Sequence, residues 1–294
     1  ILRKRVLIPK ESRREEMKSN TKRKGKIQWW KYLVSAVILV IYLLPIYVVV
    51  MTSLKPVTEY TSRLLPPSYP YWENYIQVFQ NSGIMNAVKN SFIITMGTVL
   101  VVVVVGCLAA YPMARNKNRL STAMKLFVLG VMMVPGMSMV VGIYSTLVSI
   151  HAVSTYWGII AICGAFGLPV ATYMYTNFIS SIPISLDEAA YMDGAGILTT
   201  FFRVVMPQLK PVTASVVLMQ AVSTWNEYGY SLYVLQTKEM YNVTLTIKQF
   251  FGEQMNDLNG AAACAVVAII PVVAAYLFLQ KYFIQGAMDS AVKG

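Results

Sequence analysis

The sequence predicts an all-α polytopic membrane protein with six transmembrane helices, and three observations carry that expectation. Of its 294 residues, 56% are hydrophobic and only 13% charged, with a mean hydropathy of +0.54, a balance unsuited to a water-facing surface. Six separate stretches are each apolar over roughly 20 residues, the length a helix needs to cross a hydrocarbon core of about 30 Å. The Lys and Arg residues divide unevenly, 20 on one side of an alternating topology and five on the other, which is the signature of a chain crossing back and forth.

The head, residues 1–31, holds 12 of the 25 Lys and Arg residues. The first apolar stretch, about Tyr32 to Leu54, is span-length, so it is expected to serve as its own insertion signal rather than as a cleaved leader. Lys55 to Asn90 carries Pro66, Pro67, Pro70, Trp72 and several tyrosines, a mixture that suits an ordered loop at headgroup depth and a candidate docking surface. The second stretch, Ser91 to Met113, includes Val99 to Val105, strand-like by propensity but inside a run too long for a strand. Ala123 to Ser145 and Tyr156 to Ile179 follow as the third and fourth stretches, then Val212 to Leu235 and Gly260 to Ile284 as the fifth and sixth. Pro45, Pro135, Pro169 and Pro271 interrupt four of the six, which bundled helices tolerate when neighbours satisfy the freed carbonyls. The loop from Gln236 to Asn259 is polar and is expected to hold a short surface helix near Leu245 to Gly252. The organisation is therefore a basic segment (1–31), a transmembrane domain (32–284) and a tail (285–294).

Twenty of the 25 basic residues fall on one side of this topology and five (Lys55, Arg63, Lys89, Lys238, Lys248) on the other, which places both termini in the cytoplasm. The net charge of +12 is mostly this topology signal, because a basic segment beside a first span meets anionic lipid headgroups rather than nucleic acid. Cys107, Cys163 and Cys264 all lie within apolar stretches far apart in sequence, as buried reduced thiols rather than disulfides or a metal site. His151, the only histidine, sits in a short loop and is assigned no role. Gly130, Gly136, Gly164 and Gly167 read as close packing and kinks around Pro135 and Pro169.

Between the fourth and fifth stretches lies a compact polar elbow, about 183–211. Ser185 followed by Glu188 is a capping-box spacing, and Gly194 falls where a helix of about two turns would end. Leu198, Phe201, Phe202 and Val205 then recur at helical spacing, giving a second short helix one apolar side, with Thr199 and Arg203 elsewhere. Pro207 and Pro211 end it and return the chain to the membrane. By residue pattern alone this elbow also suits an amphipathic hairpin that only anchors a loop to the membrane surface.

The run Glu188-Ala189-Ala190-x-x-Asp193-Gly194-Ala195, with Pro207 at the far end, resembles the EAA loop of ABC-importer permease subunits, in its carbohydrate-uptake branch. Trp225-Asn226-Glu227-Tyr228, Gln280-Lys281-Tyr282 and the closing Ala291-Val292-Lys293-Gly294 are similar to the maltose-type permease subunit. The resemblance covers roughly Lys31 to Gly294, and Met206 departs from the leucine usual before the proline, a volume-conserving change. What the resemblance implies is a type I importer transmembrane domain in the bacterial cytoplasmic membrane, whose elbow is the coupling helix seated in a cleft of an ATPase subunit. It also implies the partners: a second permease, two ATPase subunits carrying ATP and Mg, an extracytoplasmic solute-binding protein and a sugar. Glu188, Ala189, Ala190, Asp193, Gly194 and Ala195 would then make the ATPase contact, and Phe201, Phe202 and Pro207 would link it to the spans.

Trp225, Asn226, Glu227 and Tyr228 lie late in the fifth stretch, and an ionisable group at membrane depth is a candidate site by default. Aromatic faces stack on sugar rings while amides and carboxylates bond hydroxyls, so the cluster suits a translocation path; it equally suits a solvated Glu227 with interfacial aromatic neighbours. No nucleotide-binding loop, zinc-protease or serine-hydrolase motif is present, so no catalytic, cofactor or metal role is expected of this chain and its energy comes from partners. The competing class, a secondary transporter or channel, calls for the repeated intramembrane charges that these stretches lack, and a membrane scaffold predicts no substrate-dependent ATPase stimulation.

Overall fold

The computed structural model describes residues 10–252 and 255–292. The first nine residues of the basic head, Glu253 of the polar loop, and Lys293 and Gly294 of the closing match lie outside them.

Helix α1 (Lys10–Ser53) carries the first apolar stretch over Trp29–Ser53, and α2 (Glu73–Asn81) sits in the loop after it. That loop is ordered by its polar groups: Asn74 Nδ2 donates to the carbonyls of Ser53 and Lys55 (both 2.9 Å), and buried Lys55 donates to Thr61 Oγ1 and the Ser62 carbonyl (both 2.8 Å). Helix α3 (Ile84–Arg115) holds Val99 to Val105 as helix, as length required. The third stretch behaves differently. Helix α4 (Arg119–Met132) and the segment Gly136–Ser149, a 3-10 turn running into α5 (Val140–Ser149), meet at 87°. Pro135 lacks an amide proton and takes an extended backbone (φ −66°, ψ 113°), and its carbonyl instead accepts from the backbone N–H and hydroxyl of Ser138. Pro45, Pro112, Pro169 and Pro271, by contrast, lie inside continuous helices.

Helix α6 (Tyr156–Ser181) leads into α7 (Ser185–Met192) and α8 (Ile197–Thr200). From α8 the backbone passes through a π turn (Phe201–Val205) and a 3-10 turn (Met206–Leu209) straight into α9 (Lys210–Trp225). Pro207 and Pro211 therefore change the helical pitch rather than break the chain, as proline can in the first turn of a helix. The fifth stretch, expected as continuous from Val212 to Leu235, stops at Trp225 and resumes as α10 (Gly229–Val234). Helix α11 (Val243–Lys248) precedes a two-residue antiparallel ribbon, β1 (Phe251–Gly252) with β2 (Met255–Asn256), and α12 (Leu258–Val292) closes the chain, helical through most of the expected tail. Helix α11 is not the surface helix expected: Val243, Leu245 and Thr246 are buried against α3 and α12, since Asn242 caps it and Asn90 bonds the carbonyls of Glu239 and Tyr241. Among the described residues, four helices are thus long and apolar enough to cross a membrane, or five spans if the bent pair counts as one.

Three buried clusters hold this arrangement. One joins α3, α6 and α9 to the elbow through Val102, Tyr111, Tyr175, Phe201, Val205 and Val216. A second gathers Val78, Ile84, Trp225, Val243 and Ala263, and a third Ile94, Leu147, Ile159, Val234 and Leu245. Helices α3 and α6 pack closely, since a methyl group on Gly106 would lie only 3.3 Å from the Ala171 Cβ. Gly164 faces Val101 in the same seam, whereas Gly130 faces open space. All three cysteines are free and buried.

Candidate functional site

The elbow begins one residue earlier than a capping box requires. Ile184 is the capping residue and Ser185 already helical, so no side chain caps α7. Its end follows the sequence closely. Gly194 takes φ +83°, the Ala195 N–H bonds the Ala190 carbonyl (2.9 Å) and the Gly194 N–H bonds the Tyr191 carbonyl (3.0 Å), a Schellman closure that needs a residue without Cβ strain.

Helix α7 has two unlike faces. Glu188, Ala189, Met192 and Asp193 are exposed, while Asp187 (2% exposed) and Ala190 turn inward. Asp187 meets Arg115, the last residue of α3: Nε donates to Oδ2 at 2.7 Å and Nη2 to Oδ1 at 3.0 Å, a two-point pair. Arg115 Nη1 donates to the carbonyls of Ile179 (3.2 Å) and Ile182 (2.9 Å) at the end of α6, and the Tyr111 hydroxyl donates to Asp187 Oδ2 (3.2 Å). In the second limb, Phe201 is buried with its ring centroid 5.1 Å from that of Tyr111, and Val205 and Leu209 continue its stripe. Leu198 and Phe202, expected on the same side, are exposed; the wider pitch after Thr200 carries the buried line through Phe201, Val205 and Leu209 instead. Arg203 and Thr199 are exposed, and Ala195 and Gly194 form the turn.

The second candidate cluster divides. Trp225 is buried, with its indole N–H on the Ala268 carbonyl (3.2 Å), and Asn226 Nδ2 returns to the Val222 carbonyl (2.8 Å). Tyr228 is partly exposed, and among the four only Glu227 lines the cleft between α6 and α9. Its carboxylate caps α10, accepting from the N–H groups of Tyr230 (2.7 Å) and Ser231 (2.8 Å) and from the Ser231 hydroxyl. That pairing is why the helix restarts at Gly229, and it makes a charge expected on the path a structural acceptor as well. The cleft, about 210 Å³, is otherwise lined by Phe166, Gly167, Gln220, Ser223 and Tyr230 among others, with the Phe166 and Tyr230 rings stacked at 5.1 Å and 14°. Gly167 leaves the space that the Gln220 amide fills. Among the described residues no group of three or more His, Cys, Asp or Glu side chains is placed to hold a metal ion.

Sequence reasoning missed Asp187, Arg115 and Tyr111 on one side and Phe166, Gln220 and Tyr230 on the other. Arg115 counts only among the basic residues that set topology, and the 72 residues between it and Asp187 hide the pairing.

Compared with known proteins, residues 102–288 match the family described as binding-protein-dependent transport system inner membrane component. The chain is 36% identical over 263 residues to the melibiose/raffinose/stachyose import permease protein MelC of Bacillus subtilis (strain 168), covering 89% of this chain and 95% of that protein. It is 31% identical over 279 residues to the multiple sugar-binding transport system permease protein MsmG of Streptococcus mutans, covering 92% and 100%. The trehalose transport system permease protein SugB of Mycobacterium tuberculosis is 31% identical over 257 residues, covering 86% and 93%. In fold, the chain is similar to one chain of a solved bacterial ABC transporter involved in the import of the acidic polysaccharide alginate, with a TM-score of 0.74 at 20% identity, covering 95% of this chain and all of that one.

Proposed function

The chain belongs to the family of binding-protein-dependent transport system inner membrane components, and from that premise we propose that it is one permease subunit of a bacterial ABC importer for a sugar, an oligosaccharide above all. The observation that carries the reading is the family match over residues 102–288 together with a sugar-import permease relative 36% identical along nearly the whole chain. The chain lies in the cytoplasmic membrane with six crossings and both termini cytoplasmic; the bent α4–α5 pair is the third crossing and the broken α9–α10 run the fifth. A second permease completes the path, a solute-binding protein delivers the sugar from outside, and two ATPase subunits hydrolyse ATP inside. ATP-driven closure turns the paired bundles from inward- to outward-facing, and hydrolysis resets them.

In this reading the elbow is the coupling hairpin. Glu188, Ala189, Asp193 and Gly194 are available to an ATPase cleft on its exposed face, Ala190 and Ala195 support the turn, and Phe201 and Pro207 tie it to the bundle, with Phe202 at the margin. Its support is the exposed small-residue and acidic face set on a rigid, closed turn. The cleft beside Glu227 is this subunit's share of the sugar path, since its stacked aromatic pair, amide, hydroxyl and carboxylate match the faces and hydroxyls of a sugar ring. Glu188→Lys and Gly194→Asp test the assignment: each variant is expected to insert in the membrane yet fail to co-purify with the ATPase subunits, abolishing sugar uptake in reconstituted vesicles. Normal uptake with the ATPases bound would overturn it.

A further inference from the structure

Resting on the coupling role of the hairpin, we propose that Arg115 is the positioning residue that makes α7 and α3 move as one body, so that force on the hairpin enters the bundle through α3 as well as through the adjoining α6 and α9. Three elements meet at its guanidinium: α3, of which it is the last residue, the end of α6 through two carbonyls, and α7 through both oxygens of Asp187. Four of the five N–H groups of an arginine are thereby engaged in fixed directions, and the planar fork admits little rocking of one element against another. Residues four apart on both helices extend the contact. Tyr111 and Arg115 on α3 face Asp187 and Tyr191 on α7, with the Tyr111 hydroxyl 3.2 Å from Asp187 Oδ2 and 3.3 Å from the Tyr191 hydroxyl. The same Tyr111 ring packs on Phe201, so α3 grips both limbs of the hairpin. Glu188 and Ala189 point away from this junction and remain free for a partner, which separates the surface that receives force from the one that passes it on. A lysine at 115 would keep the charge but lose the two-point pair and the carbonyl contacts together.

The experiment uses the assembled importer, with partner permease, ATPases and binding protein, in vesicles. Arg115→Lys and Asp187→Asn are each expected to assemble and to hydrolyse ATP, while sugar moved per ATP falls roughly two- to thirtyfold, the range of coupling energies carried by single contacts. An unchanged ratio in both assembled variants would overturn the proposal. The underlying reading is tested apart from it: a bifunctional thiol cross-link between Ala189→Cys and the ATPase must form with Arg115 intact, and its failure sinks the coupling role itself rather than the part assigned to Arg115. Should both variants fail to assemble, spin labels at Asn116→Cys and Met192→Cys in the otherwise unaltered complex decide. One body predicts that their separation changes by less than about 2 Å between nucleotide-free and ATP-bound states, and a shift on the order of a helical turn, about 5 Å, would overturn it.

Discussion

At the scale of single residues, adjacent side chains in the elbow have opposite environments. Phe201 is 2% exposed and packs on Tyr111, whereas Phe202 is 49% exposed. Phe201→Ala therefore leaves a cavity and is expected to cost about 3–5 kcal/mol, while Phe202→Ala should change thermal unfolding of the purified complex little; equal losses in both would contradict the burial pattern. Helical spacing alone groups the two, because it carries a 3.6-residue period across Thr200, where the backbone widens into a π turn. The turn itself was readable: Gly194 announced a left-handed closure and the structure gives it φ +83°. The Arg115–Asp187 pair was not readable, since no local rule links a cation at the end of one helix to an acid 72 residues later. Trp225 differs from its expected setting in another way. Its type suits a sugar platform, but its indole N–H bonds the Ala268 carbonyl on α12, while the stacked aromatic pair beside Glu227 is formed by Phe166 and Tyr230, which periodicity does not mark.

At the scale of elements, apolar length located the helices but not their breaks. Pro169 and Pro271 sit inside continuous helices and Pro135 sits at an 87° bend, although all three interrupt apolar runs of similar length. The residues after Pro135 make the difference: Gly136 and Ser138 offer a turn that recaptures the Pro135 carbonyl, and Tyr230 and Phe166 occupy the space beside Gly136. The break after Trp225 likewise depends on Glu227 finding the amides of the next helix. The ordered loop before α2 yields a pH prediction. The Thr61 hydroxyl donates to Glu59 at 2.6 Å, and this bond, with lesser help from Lys55, holds the carboxyl below its usual value. A lowered value means the fold favours the carboxylate. Its stabilisation is complete above the unfolded value of about 4.3 and is lost as pH falls through the folded value. The melting temperature of the unaltered protein should thus exceed that of Glu59→Gln at neutral pH, with the gap closing as the medium is acidified; a gap independent of pH would contradict the assignment.

For the whole molecule, the sequence announced a helical membrane protein, and its resemblance to sugar-uptake permeases agrees with the family match; the way the helices share their burial stayed hidden. Helix α1 packs along α12 and exposes nearly all of its apolar face from Trp29 to Tyr47. An exposed stripe of that extent needs lipid or another bundle against it. Expressed alone and extracted in detergent, the chain is expected to elute as a broad, associating species, and to sharpen into one peak when a second permease is co-expressed; a sharp monomer in both cases would count against pairing. The connectivity also sets the scale of movement available to such a pair. Because the elbow's second limb runs into α9 with helical dihedrals throughout, the hairpin is the short arm of a lever whose long arm ends at Trp225, next to Glu227 and the cleft. Over the 16 residues of α9, a rod of about 24 Å at 1.5 Å per residue, a tilt of about 10° sweeps the far end through about 4 Å. With the elbow on the cytosolic side as proposed, a nudge there would become a change in the bore of the cleft across the bilayer.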